Sequence, residues 1–394
     1  MNDKTLIFIP YQDSDNFFDD GILTREFAML YLFWSAGYKK IINVKKPRTF
    51  LDKKRYKVVN ANFPDGTVEC EVKKILEAAQ TIQELPFFSF EQVVKRRGWW
   101  KAGYEKTIKY LKSENVQSHL VYSDNPFAVE LITYLHEMGA EVYFDIMDNF
   151  AIHPSLNQKE QMQALEGYKK VLSFSEVVSA NSQQTCEYMK KYSHIKIELV
   201  KNGVFLANKM VQYSDIEQIK ILNSKKKCYK KCVGYIGKLG QRLDATLIKN
   251  VSEKCPEILF VFVGGYLKGQ VNPELLKLFE DDNNVLHISS IPSAYVYTMC
   301  DQFDILAIPH ACGKSENGGD PLKLYQYLTR RKPIITTPIL GVDEFKDIIC
   351  ISSSVEKWVE FINDPYVIPD IVPSGIAWEE RMTPIMEKLK KNPR

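Results

Sequence analysis

The chain has 394 residues, 45% hydrophobic and 26% charged, with a net charge of +3. That length suits two domains, each able to bury its own core, and so small a net charge gives no bulk argument for nucleic-acid binding. The eight cysteines are scattered, with one C-x3-C spacing at Cys228 and Cys232, so reduced thiols are expected rather than zinc or disulfides.

Residues 1–30 lack a basic start followed by a long apolar run, the pattern of a signal peptide. No stretch reaches the roughly 18 apolar residues of a membrane span. The expected location is cytoplasmic, with peripheral contact to the inner membrane face left open.

Taken in chain order, apolar runs of strand length alternate with helical patterns, which predicts α/β architecture with parallel sheets. In the first half, strands are expected over 6–10, 40–44, 56–60, 119–122, 141–145, 177–181 and 195–200. Helices are expected over 23–35, 68–80, 103–113, 126–138, 157–173 and 183–192. After the first strand, Gln12-Asp13-Ser14-Asp15 with Asp19 and Asp20 beyond reads as a short acidic loop. Residues 95–101, KRRGWWK, set basic side chains beside two Trp. Such a stretch suits an anionic membrane surface, an acceptor-binding loop, or two core tryptophans with solvated charges beside them. Asp124-Asn125 precedes Pro126 as a helix cap would.

Residues 206–231 are Lys-rich and weakly patterned, follow an Asn202-Gly203 turn, and are expected to be a linker. Further strands are expected over 232–236, 259–264, 285–287, 305–308, 334–337 and 348–351, with helices over 245–254, 274–280, 294–301 and 355–363. The expected division is an N-terminal domain (1–205), the linker (206–231), a C-terminal domain (232–365) and a closing segment (366–394). Two doubly wound, Rossmann-like domains facing a cleft follow, with ligands expected beyond the carboxyl ends of the strands.

Most chemistry-bearing residues fall at those ends. Gly237-Lys238-Leu239-Gly240-Gln241-Arg242 follows a strand and combines a Gly turn with Lys and Arg, a combination that can hold phosphate. Gly264 and Gly265 end the next strand. The richest stretch is 316–338, ENGGDPLKLYQYLTRRKPIITTP. Gly318 and Gly319 admit close backbone approach. Pro321 suits a helix start, whose free amides favour an anion, and Lys323 adds a point charge for phosphate. Gln326 follows three residues later on roughly the same helix face, where it could bond a ribose or base. In the first half, the 141–145 strand carries Asp145 and exits into Ile146-Met147-Asp148-Asn149, and His153 lies just beyond. A base for an acceptor hydroxyl would sit in such a place.

These runs carry a family resemblance. GYIGKLGQRLD, LFVFVGG, NVLHISSIPSAYVYTMCDQFDILAIP and DPLKLYQYLTRRKPIITTP stand in order, with Trp378-Glu379-Glu380-Arg381 near the end and FDIMDNF and KNGV upstream. Together they resemble bacterial glycosyltransferases of the GT-B fold over roughly residues 119 to 390. The resemblance implies sugar transfer from a nucleotide-activated donor to a glycan or lipid-linked acceptor, in the making of a surface polysaccharide or glycoconjugate. It also implies a last helix that crosses back to the first domain.

Many members carry Glu where this chain has Gln326. Lys followed three residues later by Gln is similar to the xanthan glucuronosyltransferase and teichuronic-acid type, which implies Lys323 and Gln326 on UDP. It places Glu316 near the donor sugar or ribose. FDIMD is similar to the family's Asp-x-x-Asp, which favours Asp148 as base, with Asp145 second. No DxD-type metal motif is evident, so no metal and no cofactor beyond the nucleotide-sugar donor are expected. Two other readings stay open: a nucleotide-sugar epimerase on the same fold, and a non-catalytic partner subunit of another transferase.

Overall fold

The strands are apolar along their whole length because both of their faces are covered. TLIFI (β1, Thr5–Ile9) and ILFVFV (β9, Ile258–Val263) are buried at every position, as expected for parallel strands beneath helices on both sides. The computed structural model describes residues 4–47, 61–83, 105–113, 119–153, 156–206, 216–266, 271–281, 284–313, 320–366 and 372–391. The chain forms two units, one of Met1–Lys201 with Trp378–Arg394 and one of Asn202–Ala377.

In the first unit the elements run β1, α1 (Ser14–Asp20), α2 (Arg25–Ser35), β2 (Lys40–Val44), α3 (Val68–Ala78), β3 (Gln80–Ile82), α4 (Glu105–Ser113), β4 (Leu120–Ser123), a 3-10 turn (Pro126–Ala128) and α5 (Val129–Glu137). They continue through β5 (Glu141–Ile146), α6 (Gln158–Leu172), β6 (Val177–Ala180), α7 (Gln183–Lys190) and β7 (Glu198–Leu199). The strands pair in parallel in the order β3-β2-β1-β4-β5-β6-β7.

The second unit contains α8 (Glu217–Lys226), β8 (Lys231–Ile236), α9 (Ala245–Lys254), β9, α10 (Pro273–Asp281), β10 (Val285–Ile288), α11 (Val296–Asp301), β11 (Ile305–Ile308), α12 (Leu322–Leu328), β12 (Ile334–Thr336), β13 (Cys350–Ile351) and α13 (Val355–Asn363). Its order, β10-β9-β8-β11-β12-β13, is parallel throughout. Alternate residues of β8 and β9 feed two cores, one on each face. Cys232, Ile236, Leu259 and Val261 join one, while Val233, Tyr235, Ile258 and Phe260 join the other. Each sheet therefore reverses its strand order once, between β1 and β4 and between β8 and β11. Neighbouring crossovers leave toward opposite faces at such a point, which opens a crevice at the carboxyl edge.

The last helix, α14 (Trp378–Lys391), packs on α2 and β6 of the first unit, and Lys388 reaches Glu198 at 2.6 Å. Trp378 also lies 5.4 Å below the Arg25 guanidinium. Arg25 holds Asp145 through two bonds, Nε to Oδ2 at 2.7 Å and Nη2 to Oδ1 at 2.9 Å. Ser179 and Tyr122 donate to the same carboxylate at 2.5 and 3.3 Å. Burial works against the guanidinium's charge, and Asp145 more than restores it.

Several expectations change here. The stretch 206–231 is not a plain linker, because α8 lies within it, and Ile219 and Leu222, three residues apart, enter the second core. The expected helix over 68–80 ends at Ala78, and Gln80–Ile82 is an edge strand on β2. The acidic stretch after β1 is the helix α1, capped by the Asp13 side chain on the Asp15 amide. Lys45 pairs with both Asp13 and Asp15. The closing segment divides, with 372–377 in the second unit and the helix from Trp378 in the first. The expected strand over 56–60 and residues 95–101 lie outside the described residues.

Removing one partner of a buried, bidentate pair leaves an uncompensated charge. Arg25→Met and Asp145→Ala are each expected to destabilise the protein by about 3–5 kcal/mol, while the double variant Arg25→Met/Asp145→Leu recovers part of that loss. Urea unfolding of the three variants checks the non-additivity.

Candidate functional site

At the β8–β11 reversal, backbone and basic side chains converge. β8 ends at Gly237, whose φ of +154° suits glycine; a Cβ there would lie 2.9 Å from the Lys323 Cε. Gly264, at the end of β9, would drive a Cβ to 1.9 Å from the Gly237 carbonyl oxygen. The two glycines thus let neighbouring strand ends touch while leaving room for the Lys323 stem.

Lys323 sits in the first turn of α12, which is held by Tyr327, whose buried hydroxyl accepts the Ile236 amide at 2.8 Å. Asp320, just before the helix, accepts the Asn202 amide at 2.5 Å and the Tyr325 hydroxyl at 2.6 Å. α12 has seven residues, so side-chain charge, rather than the helix N-terminus singled out in the sequence, is the main feature for an anion.

The Lys323 ammonium lies 4.9 Å over the Tyr235 ring and 3.3 Å from the His310 Nε2. His310 follows β11, and its carbonyl accepts the Thr337 hydroxyl at 2.8 Å. Its Nε2 also lies 3.2 Å from the Tyr235 hydroxyl, which reaches the Lys238 carbonyl at 3.0 Å. Burial and then the nearby Arg242 push Lys323 well below the ordinary lysine range. Burial, Lys323 and Arg242 do the same to His310. Both side chains keep partial contact with water, which moderates these shifts without reversing them. The Arg242 Nε is buried with no hydrogen-bond partner. Among the described residues, neither Lys323, His310 nor Arg242 forms a salt bridge with an acid. Three crowded bases with no acid paired to them among the described residues make this edge one where negative charge is favoured.

Of the residues expected at this site, Gly237, Lys238, Arg242, Gly264 and Lys323 meet at one sheet edge. Gln326 lies one turn along α12, partly exposed, with its carbonyl bonded to Thr329. Glu316, Gly318 and Gly319 lie outside the described residues. His310 and Tyr235 were absent from the expected set, although His310 directly follows a strand whose end was read as a ligand edge.

The β1–β4 reversal has the opposite character. Asp124, after β4, accepts the Tyr11 amide at 2.7 Å through Oδ1, and its Oδ2 has no partner. Asn125 caps the Phe127 amide at 3.0 Å. Glu26, in the first turn of α2, is fully buried, and neither carboxyl oxygen makes a hydrogen bond of good geometry. Burial pushes Glu26 up to about 7, with Asp148 adding to the rise; its own amide, Thr24 and the Gln12 amide oppose it. Burial and then Glu26 push Asp124 well above the ordinary carboxyl range.

Asp148 follows β5, is partly exposed, and its carbonyl accepts the Tyr168 hydroxyl at 2.8 Å. Asp145, expected as a second candidate base, is instead fully buried, with four donors on its two oxygens. It has no lone pair free to take a proton from a ligand. His153 packs 5.9 Å from Phe150. Among the described residues no group of three His, Cys, Asp or Glu is placed to hold a metal ion, and no helix is long and apolar enough to cross a membrane.

Solved structures of similar fold exist. The Anabaena protein HepE, in complex with UDP and glucose, superposes with a TM-score of 0.66 at 13% identity, covering 99% of this chain and 100% of its own. Its UDP-glucose complex gives 0.61 over 98% and 94%. The α,α-trehalose 6-phosphate synthase of Burkholderia multivorans gives 0.59 at 10% identity over 100% and 95%. The fold is GT-B. No family model matches the sequence, and no curated protein matches it. A GT-B chain with this little sequence likeness keeps its two Rossmann-like sheets because strand order is set by apolar patterning rather than by particular residues.

The folded protein binds the Glu26 proton more tightly than the unfolded chain does. The resulting stability is fully present below pH 4.5 and is lost as pH rises through about 7. Glu26→Gln removes this dependence. Relative to the variant, the wild type is expected to lose on the order of 1–3 kcal/mol between those pH values, read from urea midpoints at pH 4.5, 6 and 8.

Proposed function

We propose that this protein is a glycosyltransferase that takes a sugar from a UDP-activated donor and moves it to a hydroxyl of a glycan or lipid-linked acceptor. The observation that carries this reading is the cluster of Lys323, His310 and Arg242 at the β8–β11 reversal, with no acid paired to it among the described residues. A diphosphate supplies the missing negative charge. That HepE, of the same fold, is bound to UDP, to UDP and glucose, and to UDP-glucose supports the choice of nucleotide and donor.

In this reading Lys323 and Arg242 face the diphosphate, the backbone at Gly237 and Gly264 lies against it, and Gln326 bonds the nucleoside. Lys238 stands at the same turn. Glu316, Gly318 and Gly319 are assigned to the donor sugar side. The acceptor oxygen attacks the anomeric carbon, the bond from that carbon to the β-phosphate oxygen breaks, and UDP leaves with the electron pair. Lys323 and Arg242 stabilise the charge that develops on it, which makes a metal ion unnecessary. Asp148 takes the acceptor's proton.

Calorimetry tests the donor half. UDP is expected to bind, and Lys323→Ala to weaken binding by roughly 10- to 100-fold, with His310→Ala weakening it less. A diphosphate placed against Lys323 and His310 raises their proton affinity, so binding is linked to proton uptake and weakens as pH rises. The measured enthalpy should therefore vary with the ionisation enthalpy of the buffer. Unchanged UDP affinity in Lys323→Ala would remove this site. For the acceptor half, Asp148→Asn is expected to lower turnover by roughly 10²- to 10⁴-fold with UDP affinity unchanged.

A further inference from the structure

α12 has seven residues, and its N-cap is Pro321, whose side chain makes no cap hydrogen bond. So short a helix has little stability of its own. Tertiary contacts therefore decide where its first turn, and Lys323 with it, comes to rest. The tolerance there is small. The Gly237 backbone passes so near the Lys323 stem that a Cβ would lie 2.9 Å from Cε. The ammonium stands 3.3 Å from the His310 Nε2 and 4.9 Å over the Tyr235 ring.

Asp320 holds the start of this helix. Its Oδ2 accepts the Asn202 amide at 2.5 Å, and its Oδ1 accepts the Tyr325 hydroxyl at 2.6 Å. Its own carbonyl accepts the Asn202 side-chain amide at 2.8 Å. Asn202 and Asp320, 118 residues apart, are thus joined through backbone and side chain of both. Tyr325 lies two residues beyond Lys323, so the carboxylate grips α12 from within as well as from its start. All three residues are buried. Bonds to a carboxylate are strong and demand good geometry away from water. Gly341, at a φ of +85°, leaves the room this needs: a Cβ there would lie 3.0 Å from the Pro321 Cδ and 3.4 Å from the Asp320 Oδ1.

Asn202 is also where the chain enters the second unit, and Ala377 is where it leaves. The Val204 amide donates to the Ile376 carbonyl at 3.0 Å, and Val204 pairs in parallel with Ala377. The entering and leaving segments are fastened to each other within the second unit, and Asp320 ties them to α12.

We propose that Asp320 is a positioning residue for Lys323, and that through Asn202 it makes the placement of Lys323 depend on the segment by which the chain enters the second unit. Its consequence for UDP rests on the glycosyltransferase reading; the placement of Lys323 does not.

Nuclear magnetic resonance of the full chain, labelled with 13C at the lysine ε position, tests the placement without ligand. Lys323→Ala identifies the Lys323 signal, which the Tyr235 ring is expected to shift upfield. Tyr235→Leu shows where it falls without the ring. In Asp320→Ala and in Asn202→Ala the signal is expected to move toward that unshifted position. Tyr325→Phe, which removes one of the two side-chain bonds, moves it less. Phe361→Leu, which loosens the core on the other face of the sheet, is the control for destabilisation and leaves it in place. Urea unfolding identifies the variants that fold. If Asp320→Ala does not, Asn202→Ala and Tyr325→Phe decide, since both keep the carboxylate. A Lys323 signal that stays put in the folded variants, or that moves as far in Phe361→Leu, overturns the proposal.

UDP titration of the same variants separates the two readings. If the wild type binds UDP, Asn202→Ala and Asp320→Ala are expected to weaken binding by roughly 5-fold or more, and unchanged affinity counts against the positioning role. If the wild type binds none, the UDP-donor reading falls, and the Lys323 signal still decides the role of Asp320.

Discussion

Both sheets of this protein obey one constraint: parallel strands joined by right-handed crossovers must, once in each sheet, reverse the direction in which strands are added. At the reversal the chain leaves neighbouring strand ends toward opposite faces, so the carboxyl edge there is not sealed by a connecting loop. Polar groups can gather at that edge without being forced into the core. In the second unit they are Lys323, His310 and Arg242 beside Gly237. In the first they are Glu26, Asp124 and Asp148.

The two edges gather ionisable groups of opposite kind, bases at one and acids at the other, with no salt bridge to them among the described residues, and burial makes the charged form of each costly. Three basic side chains crowd one another at the β8 end, and two buried acids do so at the β1 end. Other charges are matched directly. Arg25 and Asp145 saturate each other, and Arg330 holds Asp301 through two bonds of 2.9 and 2.8 Å. Buried ionisable groups with strongly shifted proton affinity at a strand reversal are a pattern common at functional sites.

Some of the site was legible in the primary structure and some was not, for identifiable reasons. Gly237, Gly264 and Lys323 could be placed because glycine at a strand end and lysine in a helix's first turn are local signals. Asp145 and Asp148 could not be ranked by spacing, since both belong to FDIMD. What separates them is strand alternation, which turns Asp145 inward to Arg25, 120 residues away in sequence. Glu26 reads as an ordinary first-turn acid. Its significance comes from the burial of α2, where eight of eleven residues are enclosed. The 206–231 stretch misled because Lys-rich composition masks two apolar side chains, Ile219 and Leu222, that suffice to dock a helix.

The sequence by itself determined the alternation of strand and helix, the parallel sheets and the places where glycine turns would end strands. These depend on apolar periodicity and on glycine and proline, which act within a few residues. Tertiary structure alone decided which acid is neutralised by Arg25, that His310 meets Lys323, and that Glu26 and Asp124 are both buried. Those outcomes depend on burial and on approach between segments remote in sequence, and charge and proton affinity change steeply with both.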